Sequence, residues 1–509
     1  MGIDAHLITW WYHEIRKSAA VSMDTRQADD RRNSSGTEKT IVALSGRTVI
    51  APGGGWENRE HERMTRPFLL PLALVAAVFT SMTCRQPTQP PGDETFALSL
   101  SDVTCTEAWL NVHLGASSGV RTVEIRRDSG VALSFNLRQT DTTVADTGLL
   151  PNRVYGYRAD LTNGPAIAQS TGLLSARTLD TTSSNFTFQT FTFGGNAGSC
   201  DLKDVAIIND TLAYAVGAIY LNDSTTGQPD PQAYSIAKWD GRSWSLMKLF
   251  DNSGLVVAPI RGIFVVNSND IWLAAGSVYN LDGMSPQATM SFSRFTLSDP
   301  SATVEKLWGI SASSLYGVGD VGTNIHYNGT AWTPLTSGTT QTIQDIWGAV
   351  DAVTGKKTIL CAASHPLGYG DKEILSIDAN NVVTSVPWSP QAVVMSAWFM
   401  TPSFVYACGA GIYRRGPDQV WREIGGPSVL NALTEHIRGQ GNNDIFIAGD
   451  FGNIAHYNGV SFRLYPEVTN TVGTNSVFRS CAVKNNMAIA VGFTSVGINT
   501  AAVIAVGKR

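Results

Sequence analysis

Beyond residue 90 the hydrophobic positions alternate with polar ones in short runs, and Asn-Gly, Asp-Gly, Gly-Gly and Asn-Asp pairs cut the runs apart. A period of two with turn residues between predicts strands joined by tight turns, and no stretch keeps the 3.6-residue period of an amphipathic helix. Thr106–Leu114 reads as a strand with Ala108, Leu110, Val112 and Leu114 on one face, Val120–Arg127 as the next, and Asp128-Ser-Gly130 as the turn after it. Residues 93–180 continue in this way and predict a small β-sandwich.

After residue 185 a longer period appears. Trp308–Trp332 and Arg438–Phe462 carry Gly-Asp-x-Gly, His-Tyr-Asn-Gly and a closing aromatic at identical offsets from Gly309 and Gly439. Five looser copies follow the same order, and the equivalent second-strand ends fall at 217, 276, 319, 363, 409, 449 and 492, which is 40 to 59 residues apart. A period near 45 suits a four-stranded propeller blade, so the prediction is seven blades over 185–509. Glycine at the second-strand end is expected to let neighbouring blades approach closely. The last unit has only Ala501–Val506 after Gly492 and lacks an outer strand, whereas Asn185–Phe193 is a strand without a unit. If that strand completes the seventh blade, the ring closes without an open edge. The fold expected is therefore all-β: a small β-sandwich followed by a seven-bladed β-propeller closed by an N-terminal outer strand.

The repeat resembles that of secreted bacterial propellers with the pattern W-G-x-x-x-x-D-V-x-A-V-G-D-x-G-T-I-x-H-Y-N-G-x-x-W, and has the general look of photosystem II assembly-factor-like propellers. The resemblance implies a fold and an exported location but no ligand. Leu149-Leu-Pro151 ahead of Tyr155, with Trp109 on an early strand, resembles the fibronectin type III pattern, in which that tyrosine forms a corner. Such domains serve as spacers or adhesive modules.

The front of the chain differs. Residues 1–63 hold nine acidic and nine basic residues without usable periodicity. Residues 64–83 have a basic start, a 13-residue apolar run from Pro67 to Phe79 and small polar residues, the layout of a secretory signal peptide. Translation from Met64 would make 1–63 spurious; a genuine extension before a buried apolar segment is the other reading. Cys84 follows, and the segment resembles a bacterial lipoprotein signal, which implies a lipidated Cys84; Thr83 in place of a smaller residue leaves ordinary cleavage open. Residues 84–92 form a Pro-rich tether. The expected location is the outer membrane or cell surface, held by a lipid at Cys84, with a periplasmic or secreted location as the alternative.

Composition narrows the function. The chain is 43% hydrophobic but only 16% charged, with 48 Gly and a net charge of −5. Acid and base are interspersed without a basic stripe, which argues against a nucleic-acid partner. No cysteine spacing suits zinc, and no motif for a cofactor, metal or nucleophile is present. Cys200 and Cys481, near the first and last blades, are a pair to check for a disulfide. His326, His456, Asp320 and Asp450 recur at equivalent positions and read as blade scaffolding. The first strands align as a ring of Asp204, Arg261, Trp308, Trp347, Trp398, Arg438 and Ser480. Within it Arg261, Trp308, Trp347, Trp398 and Arg438 are candidate ligand contacts for a protein or glycan at one channel mouth, unless the Trp rings wedge between blades as packing. Long second-to-third-strand loops in blade 1 (Ile219–Gln232), blade 2 (Val278–Gln287) and blade 7 (Phe493–Asn499) offer a second candidate surface. The function expected is a non-catalytic binding or scaffolding protein. The alternative, a carbohydrate-active enzyme, needs paired carboxylates at the channel, for which Asp204, Glu305, Asp345 and Glu435 are available.

Overall fold

The computed structural model describes residues 95–509 apart from 116–119, 138–139, 165, 284, 352–354, 427–428 and 431. Residues 1–63, the leader 64–83, Cys84 and the tether 84–92 lie outside the described residues.

The sandwich comes first. Phe96–Val103, Glu107–Leu114 and Asp141–Thr147 form one sheet; Gly130–Leu137, Arg121–Arg127, Val154–Asn163 and Ala166–Ser170 form the other, with Leu174–Arg177 also on Val154–Asn163. Alternation sends Leu110, Val112, Val123, Ile125 and Tyr157 into the shared core. The Tyr155 hydroxyl accepts the Leu150 backbone N–H at 2.9 Å, the contact of a tyrosine corner. Trp109 departs from the expected pattern. It is buried, but on the opposite face of its strand from Leu110, among propeller residues instead of in the sandwich core.

Seven four-stranded antiparallel sheets follow. Six take consecutive strands. The seventh combines Ser476–Lys484, Met487–Val496 and Asn499–Lys508 with Thr187–Gly194, which pairs along Asn499–Lys508 from Lys508↔Thr187 to Ala501↔Gly194. The N-terminal strand thus supplies the outer edge of the last blade, and Phe191 packs on Trp239 of blade 1 at 5.7 Å. His456, in the repeated His-Tyr-Asn-Gly, is fully buried and joins Asp444 (2.8 Å) to Ser184 (2.8 Å), the lead-in to that strand. Its counterpart His326 stacks on Tyr316 and meets Asn381 of the next blade.

The inner strands share one irregularity. In six of the seven blades the register slips by one residue near the start of the first strand, between Leu202/Asp204, Val304/Lys306, Ile343/Asp345, Val394/Ser396, Thr434/His436 and Phe478/Ser480. This β-bulge explains the repeated small residue on the second strand. A Cβ at Gly319 would lie 2.0 Å from the Thr303 carbonyl oxygen, and one at Gly492 would lie 1.9 Å from that of Val477. At Gly217, Gly319, Gly409, Gly449 and Gly492 the close approach is therefore within the blade, to its own bulged strand, whereas Gly276 of blade 2 exchanges backbone hydrogen bonds with Val304 of the neighbouring blade, the kind of approach the sequence suggested.

The described cysteines are all free and buried, and Cys200 does not pair with Cys481. The Cys200 thiol accepts the Tyr220 N–H at 3.2 Å, whereas burial pushes the Cys481 thiol up to about 12.

The sandwich docks on blades 5 and 6. Arg414 in the third strand of blade 5 donates to both carboxylate oxygens of Glu107 (2.7 and 2.9 Å). Trp109 donates to Glu107 (3.0 Å), meets Phe404 edge-on at 6.2 Å and lies under Arg422. Asn443 donates to the Asp180 carbonyl (2.7 Å). Phe404, Asn443 and Asn458 sit where first strands lead to second or third to fourth, so the sandwich covers that end of the blades. Among the described residues, none of these sandwich contacts reaches the other end, where second strands lead to third and one blade to the next.

The bulge yields a direct prediction. Gly492→Ala should cost the propeller about 3 kcal/mol, because the inner strand must shift to admit the methyl group. Gly130→Ala, where nothing lies within 4 Å of the added atom, should change stability by less than about 0.5 kcal/mol. Chemical-denaturant midpoints of the two variants separate these outcomes.

Candidate functional site at the channel mouth

The bulges turn one side chain in each of six blades toward the axis, and blade 2 has glycine at the equivalent position. By inter-strand register and matching hydrogen bonds these positions are Asp204, Gly262, Lys306, Asp345, Ser396, His436 and Ser480. Each of four accepts the N–H of the residue after its counterpart in the next blade: Asp204 from Ile263 (3.1 Å), Asp345 from Ala397 (3.3 Å), Ser396 from Ile437 (3.3 Å) and His436 from Cys481 (3.1 Å). Ser480 closes the circle by donating to Asp204 at 2.7 Å. Gly262 has no side chain there, and Lys306 reaches Asp204 at 2.9 Å. Arg438 grips Asp345 with both amino groups (2.7 and 2.8 Å).

The hub is electroneutral: two carboxylates face one lysine and one arginine. Burial alone would raise Asp345, but Arg438 and His436 overcome it and hold its carboxyl well below the usual range. Lys306 does the same for Asp204 against burial. Burial and then the Arg438 charge depress His436 to about 4, so it stays neutral. With Nδ1 accepting from Cys481, its Nε2 proton faces Asp345 at 3.7 Å.

The structure separates the aligned ring of the sequence into three layers. Asp204 and Ser480 belong to the hub. Trp308, Trp347, Trp398 and Arg438 lie two residues further along their strands, hence one layer deeper. Arg261 lies one residue earlier, at the mouth. All these blades except that of Arg261 carry the bulge at the same place, so Asp204 and Ser480 correspond to Lys306, Asp345, Ser396 and His436, two residues before the Trp or Arg of the motif. Trp308 and Trp398 are 7% and 1% exposed, and their rings face Gly348 and Gly439 of the following blades. Trp347 donates to the Phe399 carbonyl (2.8 Å) and lies under the Arg438 guanidinium at 4.8 Å. These side chains are interior, and Arg438 is committed to Asp345. The hub residues Lys306, Ser396 and His436 were missed, although a signal existed: each is a polar residue two before the Trp or Arg that the motif highlighted.

The bulged residues Lys203, Glu305, Gln344, Met395, Glu435 and Arg479 form the mouth, joined by Arg261 from blade 2, which lacks the bulge. Arg261 donates to both oxygens of Glu305 (3.0 and 2.9 Å), and Arg479 to Glu435 (3.0 Å). Asp320 and Asp450 stand behind these two glutamates in the turns after the second strands. Asp320 accepts the hydroxyls of Thr303 (2.9 Å) and Thr342 (3.0 Å). Asp450 is buried with its Oδ1 unpartnered; burial, then Glu435, pushes its carboxyl up to about 7. Of the carboxylates named from sequence, Asp204 and Asp345 are thus held in the hub, while Glu305 and Glu435 are at the mouth.

The long-loop surface also changes. Blade 1 keeps its loop between Leu212–Ile219 and Tyr234–Trp239. In blade 2 only Gly276 separates the second and third strands, and the insertion lies instead between Ser277–Leu281 and Ala288–Phe292, at the opposite end. In blade 7 the segment is a strand extension paired down to Val496↔Asn499, so a hairpin tip at Gly497-Ile498 projects.

No family model and no curated protein matches the chain. Among solved structures it is similar to one described as YCF48 bound to D1 peptide, with 12% identity and a TM-score of 0.45 over 63% of this chain and 97% of that one. It is also similar to the WD40 β-propeller domain of Doa1, with 13% identity and a TM-score of 0.42 over the same shares. The propeller assignment rests on the seven sheets, and likenesses of this size say nothing about a ligand here.

The hub predicts how stability responds to pH and to loss of a partner. Asp345→Asn leaves Arg438 buried without its counter-charge and should cost about 3–5 kcal/mol. His436 binds its proton near pH 4 when folded and near 6.5 when unfolded, so its contribution is full above about pH 6.5. That contribution falls away as pH drops through 4, by about 3 kcal/mol in all. Urea midpoints at about pH 7 and about pH 4.5 should show a shallower slope in His436→Gln than in the parent.

Proposed function

We propose that this chain is an exported binding protein, tethered through a lipid at Cys84, that presents the open end of its propeller to a protein or glycan partner. The fibronectin type III-like sandwich then acts as the mount that fixes the orientation of the propeller. One observation carries the reading. Among the described residues, the four most exposed large apolar side chains of the propeller are Ile498 (90%), Phe295 (81%), Leu255 (68%) and Tyr369 (62%). All four sit on the end opposite the sandwich, in second-to-third-strand turns or blade-to-blade connections. Exposed apolar side chains gathered around a charged mouth are the makings of an interaction face.

A carbohydrate-active enzyme is a second reading, favoured by the Glu435 and Asp450 carboxyls. One is paired with Arg479 and the other is pushed up to about 7, which resembles the division between base and acid in glycoside chemistry.

Peptide and glycan arrays probed with the full chain test the first reading. Saturable binding that Phe295→Glu with Ile498→Glu weakens at least tenfold, while Met400→Glu on the sandwich-side end leaves it unchanged, is the expected outcome. Binding indifferent to the rim pair overturns it, and cleavage of an arrayed glycan favours the enzyme. The anchor has its own test: metabolic labelling with a palmitate analogue should mark the parent and not Cys84→Ala, and an unlabelled parent removes the anchor.

A further inference from the structure

The mouth carries the same carboxyl arrangement twice, but only one copy is complete. In blade 3, the Asp320 backbone N–H donates to the Thr303 carbonyl of its own inner strand, and both carboxylate oxygens are met by threonine hydroxyls, Thr303 from the same blade and Thr342 from the next. Blade 6 repeats the backbone: the Asp450 N–H bonds to Leu433, and the Gly452 N–H to Ser476 just as the Gly322 N–H bonds to Gln341. The residues equivalent to Thr303 and Thr342 are therefore Leu433 and Val477. Both donors are gone, and Asp450, only 7% exposed, keeps an Oδ1 with no hydrogen-bond partner. A buried carboxylate oxygen without a donor costs free energy that a ligand carrying donors would recover.

The surroundings specify the charge of such a ligand. Arg479 interacts with Glu435, Asp201 and Asp450 together, so one guanidinium serves three carboxyls. Lys203 pairs with Asp201, yet Asp201 Oδ1 is also without a hydrogen-bond partner. Around the whole mouth, Asp201, Glu305, Asp320, Glu435 and Asp450 outnumber Lys203, Arg261 and Arg479. The cluster opens to solvent through Asp201 and Arg479, whose side chains are 25% and 28% exposed. A partner that brings N–H donors and positive charge satisfies both deficits at once.

We propose that the cleft formed by Asp201, Glu435, Asp450 and Arg479, where blades 6, 7 and 1 meet, captures a lysine or arginine side chain of a peptide segment in the partner protein. This rests on the binding reading above and names its chemistry. The alkyl stem would lie against Leu433 and Val477, which stand where blade 3 and blade 4 have threonines, while the cationic head meets the carboxyls.

The test uses the full chain and a fluorescein-labelled octalysine peptide followed by anisotropy, with octaglutamate as control. Octalysine should bind saturably and octaglutamate should not. Asp450→Asn should weaken octalysine at least tenfold, whereas Asp320→Asn at the complete copy should stay within twofold of the parent. Leu433→Thr with Val477→Thr hands Asp450 the hydroxyls that Asp320 enjoys, and should also weaken binding at least tenfold; an unchanged denaturant midpoint shows that this variant is folded. Octalysine binding indifferent to both Asp450→Asn and the threonine pair overturns the site. So does failure of octalysine to bind when an arrayed ligand binds through Phe295 and Ile498, an outcome that leaves the platform reading intact. Failure of both probes removes the platform reading as well.

Discussion

Seven inner strands meet at one axis, and the bulge in six of them turns a polar side chain inward where water is scarce. Asp204 and Asp345 can remain charged there only because Lys306 and Arg438 reach them from other blades. Such pairs contribute little net stability against an apolar filling, but a partner removed leaves a buried charge uncompensated. What the hub does supply is register. A side chain in one blade accepts the backbone N–H of a fixed position in the next, at Asp204, Asp345, Ser396 and His436, and Ser480 returns the chain of contacts to Asp204. Blades 5, 6, 7 and 1 are held in this way on both sides, so displacing one of them by a residue would break a hydrogen bond to each neighbour.

Closure at the rim follows the same logic. The strand Thr187–Gly194 gives blade 7 its outer edge, so the first and last parts of the propeller are hydrogen-bonded along eight residue pairs. An unpaired edge at Asn499–Lys508 would be a site for association with other chains. Because the sandwich precedes that strand directly, its position on the propeller is constrained at both its attachment and its docking face. Glu107, Trp109 and Arg414 complete the constraint with a buried ion pair and an aromatic contact. The consequence is directional: one end of the blades is partly covered, and the other carries the mouth.

The contrast between Asp320 and Asp450 shows how a repeat fold separates scaffold from site. The turn geometry is the same in both copies, since the backbone hydrogen bonds are the same. Leu433 and Val477 stand where the complete copy has Thr303 and Thr342, and with those threonines goes the satisfaction of the carboxyl. A motif read as scaffolding in one blade is therefore unfinished in another.

The sequence by itself determined the strands, the blade count and the closing strand, because alternation, turn residues and a repeat near 45 residues are local or periodic signals. It also showed the absence of an outer strand in the last unit, and Asn185–Phe193 as its replacement. It did not determine which side chains share a layer. The motif marks Trp308 and Arg438 but not Lys306 and His436, which stand level with Asp204 two residues earlier, and Arg261, in the blade without the bulge, lies at the mouth. Nor could it show that blade 2 carries its insertion at the opposite end, that Trp109 faces the propeller, or that Cys200 and Cys481 stay apart. Those facts depend on contacts between residues far apart in the chain, and only the closed ring decides them.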